Sequence, residues 1–140
     1  MNAYLRNILV VIGGWIIGNL VNGGIVALSF SIFSFPQGID PSDIDNFDKL
    51  IPFLGVKHYL FALAAHSLAT IAGVYFVARL VTKAPAFFGF GLGLVFFLQG
   101  IGNAWSMPFP FWFEATDLVV SYIPMTLLAN VLAKRKRSDW

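Results

Sequence analysis

The side chains able to do chemistry are few, and they sit in apolar surroundings. His66 lies near the middle of the run 58–79, HYLFALAAHSLATIAGVYFVAR. Glu114, Asp117 and Ser121 follow one another at three- and four-residue spacing, which on a helix keeps them within about 60° of one another. An embedded histidine serves as a hydrogen-bond partner, a proton carrier or a metal ligand. Asp117 is its best ionisable partner, with Glu114 a turn nearer the surface. The amides Asn19, Asn22, Gln99 and Asn103 and the hydroxyl of Thr70 are also embedded in apolar sequence. Asn19 and Asn22 share one helix face, as do Gln99 and Asn103. His58 is on the same segment as His66 but about 80° round it. One metal ion held by both histidines is therefore awkward, and haem held between them more so. No H-E-x-x-H or G-x-S-x-G motif occurs, and GFGLG at 89–93 follows no strand, so it is not a nucleotide loop. No catalytic residue is assigned, no cofactor is expected, and a metal site is left undefined. Two readings of His66 stand side by side. It ties helices together through a polar partner, or it marks a functional site, the default for an ionisable group inside a membrane.

The elements that must position these groups follow from composition. Of 140 residues, 58% are hydrophobic and only 11% charged, against about 25% charged in a soluble domain. Mean hydropathy is +0.77. Such a chain needs a lipid bilayer as its solvent. It has room for about four spans of about 20 residues and none for a separate soluble domain. With no cysteine, disulfides, thiolate nucleophiles, iron–sulfur clusters and thiol zinc sites are excluded. The net charge of +2 sits mostly in the C-terminal KRKR run, so nucleic acid is not an expected partner.

The pattern predicts an all-α, four-helix transmembrane bundle, a single integral membrane domain over 1–140. Helices are expected at about 5–33, 57–80, 86–105 and 113–133, with a polar loop over 34–56. The first run is too long for a signal-peptide core and lacks a clear cleavage site, so it reads as a retained helix. Gly14 with Gly18, and Gly89 with Gly93, form G-x-x-x-G pairs that let helices approach closely. In the second helix, Ala62, His66, Ala69, Thr70 and Gly73 make a small-residue face, while Leu60, Phe61, Ala64, Leu68, Ile71 and Tyr75 make a bulky, lipid-facing one. Loop 34–56 holds Asp40, Asp43, Asp45 and Asp48. It lacks the glycine and glutamate of a calcium loop and reads as solvated, with Asp43 suited to cap a short interfacial turn. Pro124 should kink the fourth helix or loosen a turn.

Basic residues set the orientation. Arg6, Arg79, Lys83 and the Lys134–Arg137 run fall on one side of a four-span arrangement, whereas the other side carries only Lys49 and Lys57, beside acids. The positive-inside rule then puts both termini in the cytoplasm. Counted inward at 1.5 Å per residue, Asn22 and His66 lie roughly 13–16 Å below the outer boundary, and Gln99 and Ser121 roughly 10–14 Å. All four helices thus bring polar groups to the outer half of the membrane. The expected result is an outward-facing polar pocket around His66.

Several stretches also carry a resemblance. They are FPQGID at 35–40, KH at 57–58, AHSLATIAG at 65–73, GIGNAWSMPFPFWFEATDL at 100–118 and YIP at 122–124. With these the chain resembles an uncharacterised family of small four-helix bacterial integral membrane proteins, departing from its usual LGT-like pattern near Ser67 to Thr70. The resemblance implies the topology and a bacterial inner membrane, and no activity. The expected function is binding or passage of a small solute or ion through the pocket, in a homo-oligomer. The alternative is an accessory subunit packed on a partner membrane protein through its glycine faces. A small membrane enzyme using His66 and Asp117 is a third reading.

Overall fold

The computed structural model describes residues 2–41, 43 and 47–135. Asp45 and the Lys136–Arg137 part of the basic run lie outside the described residues. The long helices are α1 (Ala3–Ile32), α3 (Val56–Leu80) and α4 (Pro85–Ser106). A fourth long segment consists of α5 (Phe111–Asp117), a wide π-helical turn (Leu118–Tyr122) and α6 (Ile123–Arg135). A short α2 (Phe47–Leu50) runs into a 3₁₀ turn (Ile51–Phe53) before α3. No strand occurs among the described residues. Four helical segments are long and apolar enough to cross a membrane: Ala3–Ile32, Val56–Leu80, Pro85–Ser106 and Phe111–Lys134. The chain is therefore a small, multi-pass, all-α membrane protein.

Local chemistry fixes the helix ends. The Asn2 side chain accepts a hydrogen bond from the Tyr4 N–H at 3.1 Å, capping α1. At the start of α3, His58 Nδ1 accepts from the Gly55 N–H at 2.9 Å. Pro85 opens α4 at a position where its missing N–H leaves nothing unpaired. Ala84 just before it takes the left-handed conformation, with φ of 51°.

The central helix is α3, which packs on α1, α4 and α6. Its small face makes this possible. A Cβ added to Gly73 would lie 2.6 Å from the Gly14 carbonyl oxygen, and one added to Gly14 would lie 2.8 Å from the Gly73 carbonyl oxygen. The two backbones therefore touch. Gly18 meets Ala69 and Phe96 in the same crossing. Across the bundle, Gly89 and Gly93 of α4 receive Asn130 and Thr126 of α6. Thus both G-x-x-x-G pairs close the bundle on itself, whereas Gly23, Gly24, Gly91 and Gly102 have open space beside them. Of the bulky face of α3, Leu60 and Leu68 are exposed as expected, but Phe61 packs edge-on against Phe33, and Ile71 and Tyr75 pack against the core because the bundle wraps further round the helix than the small face alone. Val74, Val77, Val81, Leu92 and Phe96 form the apolar core between α3, α4 and α6.

The acidic loop leaves Asp40 and Asp48 exposed, but its apolar residues are seated on the bundle. α2 and the turn after it fold back on the helix ends, leaving Leu50 only 1% exposed. Phe47 packs edge-on against Phe109, with ring centroids 5.4 Å apart. The aspartates dominated the loop's composition, but Phe47, Leu50 and Leu54 supply enough apolar surface to seat it.

Candidate functional site

His66 projects from the small face of α3 towards the end of α5. Its Nδ1 lies 2.7 Å from Asp117 Oδ2. Asp117 is buried, and a buried carboxylate needs its oxygens satisfied. The Ser121 hydroxyl donates to Oδ1 at 2.6 Å, and the Tyr122 hydroxyl approaches Oδ2 at 3.4 Å. Ser67 Oγ donates to Ser121 Oγ at 3.2 Å, tying α3 to the same group. The Tyr122 ring also stacks on the His66 ring, with centroids 6.1 Å apart and planes inclined by 27°.

The π turn explains how Asp117 gathers these partners. In an α-helix, residues five apart point roughly 140° away from each other. The i→i+5 bonding of a π turn instead brings them one above the other. Asp117 and Tyr122 are five apart across the turn 118–122. Pro124 stands just beyond and offers no N–H to the Val120 carbonyl, so the α pattern is already broken there.

The Asp117 contact fixes what the rest of the imidazole presents. Nδ1 faces the carboxylate, so the neutral ring carries its proton there and leaves an Nε2 lone pair. Nε2 makes no hydrogen bond among the described residues and is not sealed off from small molecules. It is one unengaged polar atom of the site.

The amides form a second line of polar contacts between α1 and α4. Gln99 Nε2 donates to Asn19 Oδ1 at 2.9 Å, and Trp15 Nε1 donates to Gln99 Oε1 at 3.3 Å. Asn19 Nδ2 donates to its own helix at the Trp15 carbonyl. Asn22 Oδ1 is buried without a partner. A gap of about 20 Å³ lies among Asn19, Asn22, His66, Thr70, Gln99 and Asn103, enough for one water molecule. Thr70 is turned back onto its own helix, donating to the His66 carbonyl at 2.9 Å. Glu114 borders a similar small gap with Asp117, and its carboxylate makes no hydrogen bond among the described residues.

Above His66 opens a chamber of about 220 Å³. Phe30 of α1, Phe35, Phe47 and Leu50 of the loop, and Phe109 and Phe113 at α5 form much of its wall, and His66 lines it as well. Ser29, His58 and Asn103 are its other polar neighbours, apart from the Tyr59 hydroxyl. This cavity is thus mostly apolar, with His66, His58, Ser29 and Asn103 among its lining, where a polar pocket was expected. The reason is again the loop, whose aromatic and aliphatic side chains cover the polar helix faces. Asn19, Asn22, Gln99, Glu114 and Ser121 do not line it. His58 lines it but is structurally engaged, with Nδ1 capping α3 and its ring against Phe33 and Phe35. The sequence reading missed Tyr122, Trp15 and Ser67. For Tyr122, the available signal was Pro124 two residues on.

Compared with family models, with curated proteins and with solved structures, the chain matches none. Of the expected resemblance, the structure carries the architecture, four long apolar helices.

Proposed function

We propose that this is a bacterial inner-membrane protein, with both termini in the cytoplasm, that binds a small molecule in the chamber above His66. One observation carries the reading. His66 is held by Asp117 through Nδ1, leaving Nε2 unengaged, and the same ring lines a chamber far larger than one water molecule. A histidine that only tied helices together would need no such space. Binding is favoured over passage because Val74, Val77, Leu92 and Phe96 pack tightly on the side of His66 away from the chamber.

The charge distribution supports the orientation. Arg6 bonds the Thr82 hydroxyl, joining the start of α1 to the α3–α4 connection, where Arg79 and Lys83 also lie. That basic end faces the cytoplasm by the positive-inside rule, so the chamber faces outward.

The test is native mass spectrometry of the protein released from membranes, beside a thermal melt, for wild type and His66→Leu. A small molecule that leaves the variant while the melt is kept supports the proposal. A variant that loses stability, with no bound molecule in either protein, assigns His66 to helix packing and sinks it. The same spectra report the copy number.

A further inference from the structure

We infer that the chamber takes an uncharged, largely apolar alcohol or phenol whose hydroxyl donates a hydrogen bond to His66 Nε2. The inference rests on the binding role proposed above and names the ligand class.

The polar inventory of the chamber leads to it. Asp117 is consumed, since Oδ2 takes His66 and Tyr122 and Oδ1 takes Ser121. It is therefore not free to hold a cation. Among the described residues, no group of three or more histidines and carboxylates is arranged around a metal position. The Ser29 hydroxyl donates to the Val26 carbonyl at 2.7 Å, and His58 Nδ1 is taken by Gly55. The lining holds no lysine or arginine to balance an anion. Besides the Asn103 amide and the Tyr59 hydroxyl, the contact that remains is the His66 Nε2 lone pair, which accepts and does not donate in the neutral ring. The walls are mostly aromatic and aliphatic. Apolar cavities of roughly 150 Å³ hold benzene, so a chamber of about 220 Å³ suits one ring with a short substituent. The Asn103 amide makes no side-chain hydrogen bond among the described residues and borders the chamber. It is available to a second polar group on the same ligand.

Three fluorinated probes test the class in detergent by ¹⁹F NMR titration: 4-(trifluoromethyl)phenol, 4-(trifluoromethyl)anisole and 4-(trifluoromethyl)benzoate. Phenol and ether share the ring but differ in the donor. The phenol is expected to bind about tenfold tighter than the ether, the worth of one hydrogen bond of about 1.4 kcal/mol. In His66→Phe the ratio should fall to about one. If that variant fails to fold, the ¹⁵N resonance of His66 Nε2 in wild type gives the answer, since it should move with phenol and stay with ether. Equal saturable binding of phenol and ether would overturn the hydroxyl inference and leave the chamber as a binding site. Preference for the benzoate would overturn it too, pointing to an imidazolium. No saturable binding of any probe would count against both the ligand class and the binding role.

Discussion

Replacing Asp117 by Ala tests whether the His66 contact holds the site together. The change leaves three donors without their acceptor: His66 Nδ1–H and the hydroxyls of Ser121 and Tyr122. They are not equal. Ser121 already lies 3.3 Å from the Leu63 carbonyl and can turn to it. The Tyr122 contact is long at 3.4 Å and loses little. His66 Nδ1 has no second acceptor among the described residues. One buried donor left unpaired costs about 1–3 kcal/mol, while measured hydrogen bonds between membrane helices average about 0.6 kcal/mol. The expected loss is thus about 1–2 kcal/mol. Asp117→Asn keeps a carbonyl acceptor and nearly the same volume, so it should lose less. Unfolding by SDS in mixed micelles, followed by fluorescence of the four tryptophans, reads both. A double-mutant cycle with His66→Leu adds the decisive number, because residues in contact show coupling of about 0.5–3 kcal/mol. If the two single losses simply add, the pair does not interact and the account of the site is wrong.

Further outcomes follow from other parts of the fold. Gly73→Ala should destabilise by about 1–3 kcal/mol through overpacking, because its Cβ would meet the Gly14 carbonyl. Gly91→Ala, with open space beside it, should be neutral or stabilising by up to about 1 kcal/mol; equal melts for the two would refute the crossing. Trp15→Phe removes the donor to Gln99 and should lower stability by about 0.5–1 kcal/mol, whereas Trp105→Phe, at an exposed position, should not. Pro124→Ala restores a backbone N–H and should let the turn at 118–122 tighten, moving Tyr122 off Asp117; an unchanged near-ultraviolet tyrosine signal would assign the turn to packing instead. Cysteines at Gln37 and at Lys83 should label unequally with an impermeant reagent in intact spheroplasts, with Gln37 reacting, and equal labelling would contradict the orientation.

Much of the framework could be read from the sequence, for physical reasons. A span in lipid must satisfy its own backbone, so apolar length alone marks it. The faces of α3 were legible because Ala69 and Gly73 differ so plainly from Leu60 and Leu68. The nearness of His66 to Asp117 followed from counting residues along rigid helices. What was not legible lay where the helical period fails or the chain leaves it. Tyr122 turns towards Asp117 because the π turn adds a residue, a change invisible to a fixed 100° step. The apolar chamber needs the loop around Phe47 and Leu50, whose fold depends on what it packs against. Trp15 reads as one more lipid-facing aromatic until Gln99 is seen opposite its ring nitrogen.

The way α1 is held has a consequence for how the protein is made. α1 rests chiefly on α3, through the backbone contact of Gly14 with Gly73. Gly73 is synthesised about sixty residues after Gly14. When α1 first enters the bilayer, Asn19 and Asn22 have neither Gln99 nor the α3 face beside them. α1 must therefore cross on the strength of its aliphatic residues and wait there with its amides uncovered. The emergence of α3 creates the first stable pair, and α4 and the α5–α6 segment then assemble on α3, with α4 also reaching α1 through Gln99 and Phe96. A mutation at the Gly14–Gly73 contact would thus expose the waiting helix to membrane quality control before the site around His66 has formed. Its first symptom would be low abundance of the protein, ahead of any defect in the molecules that do fold.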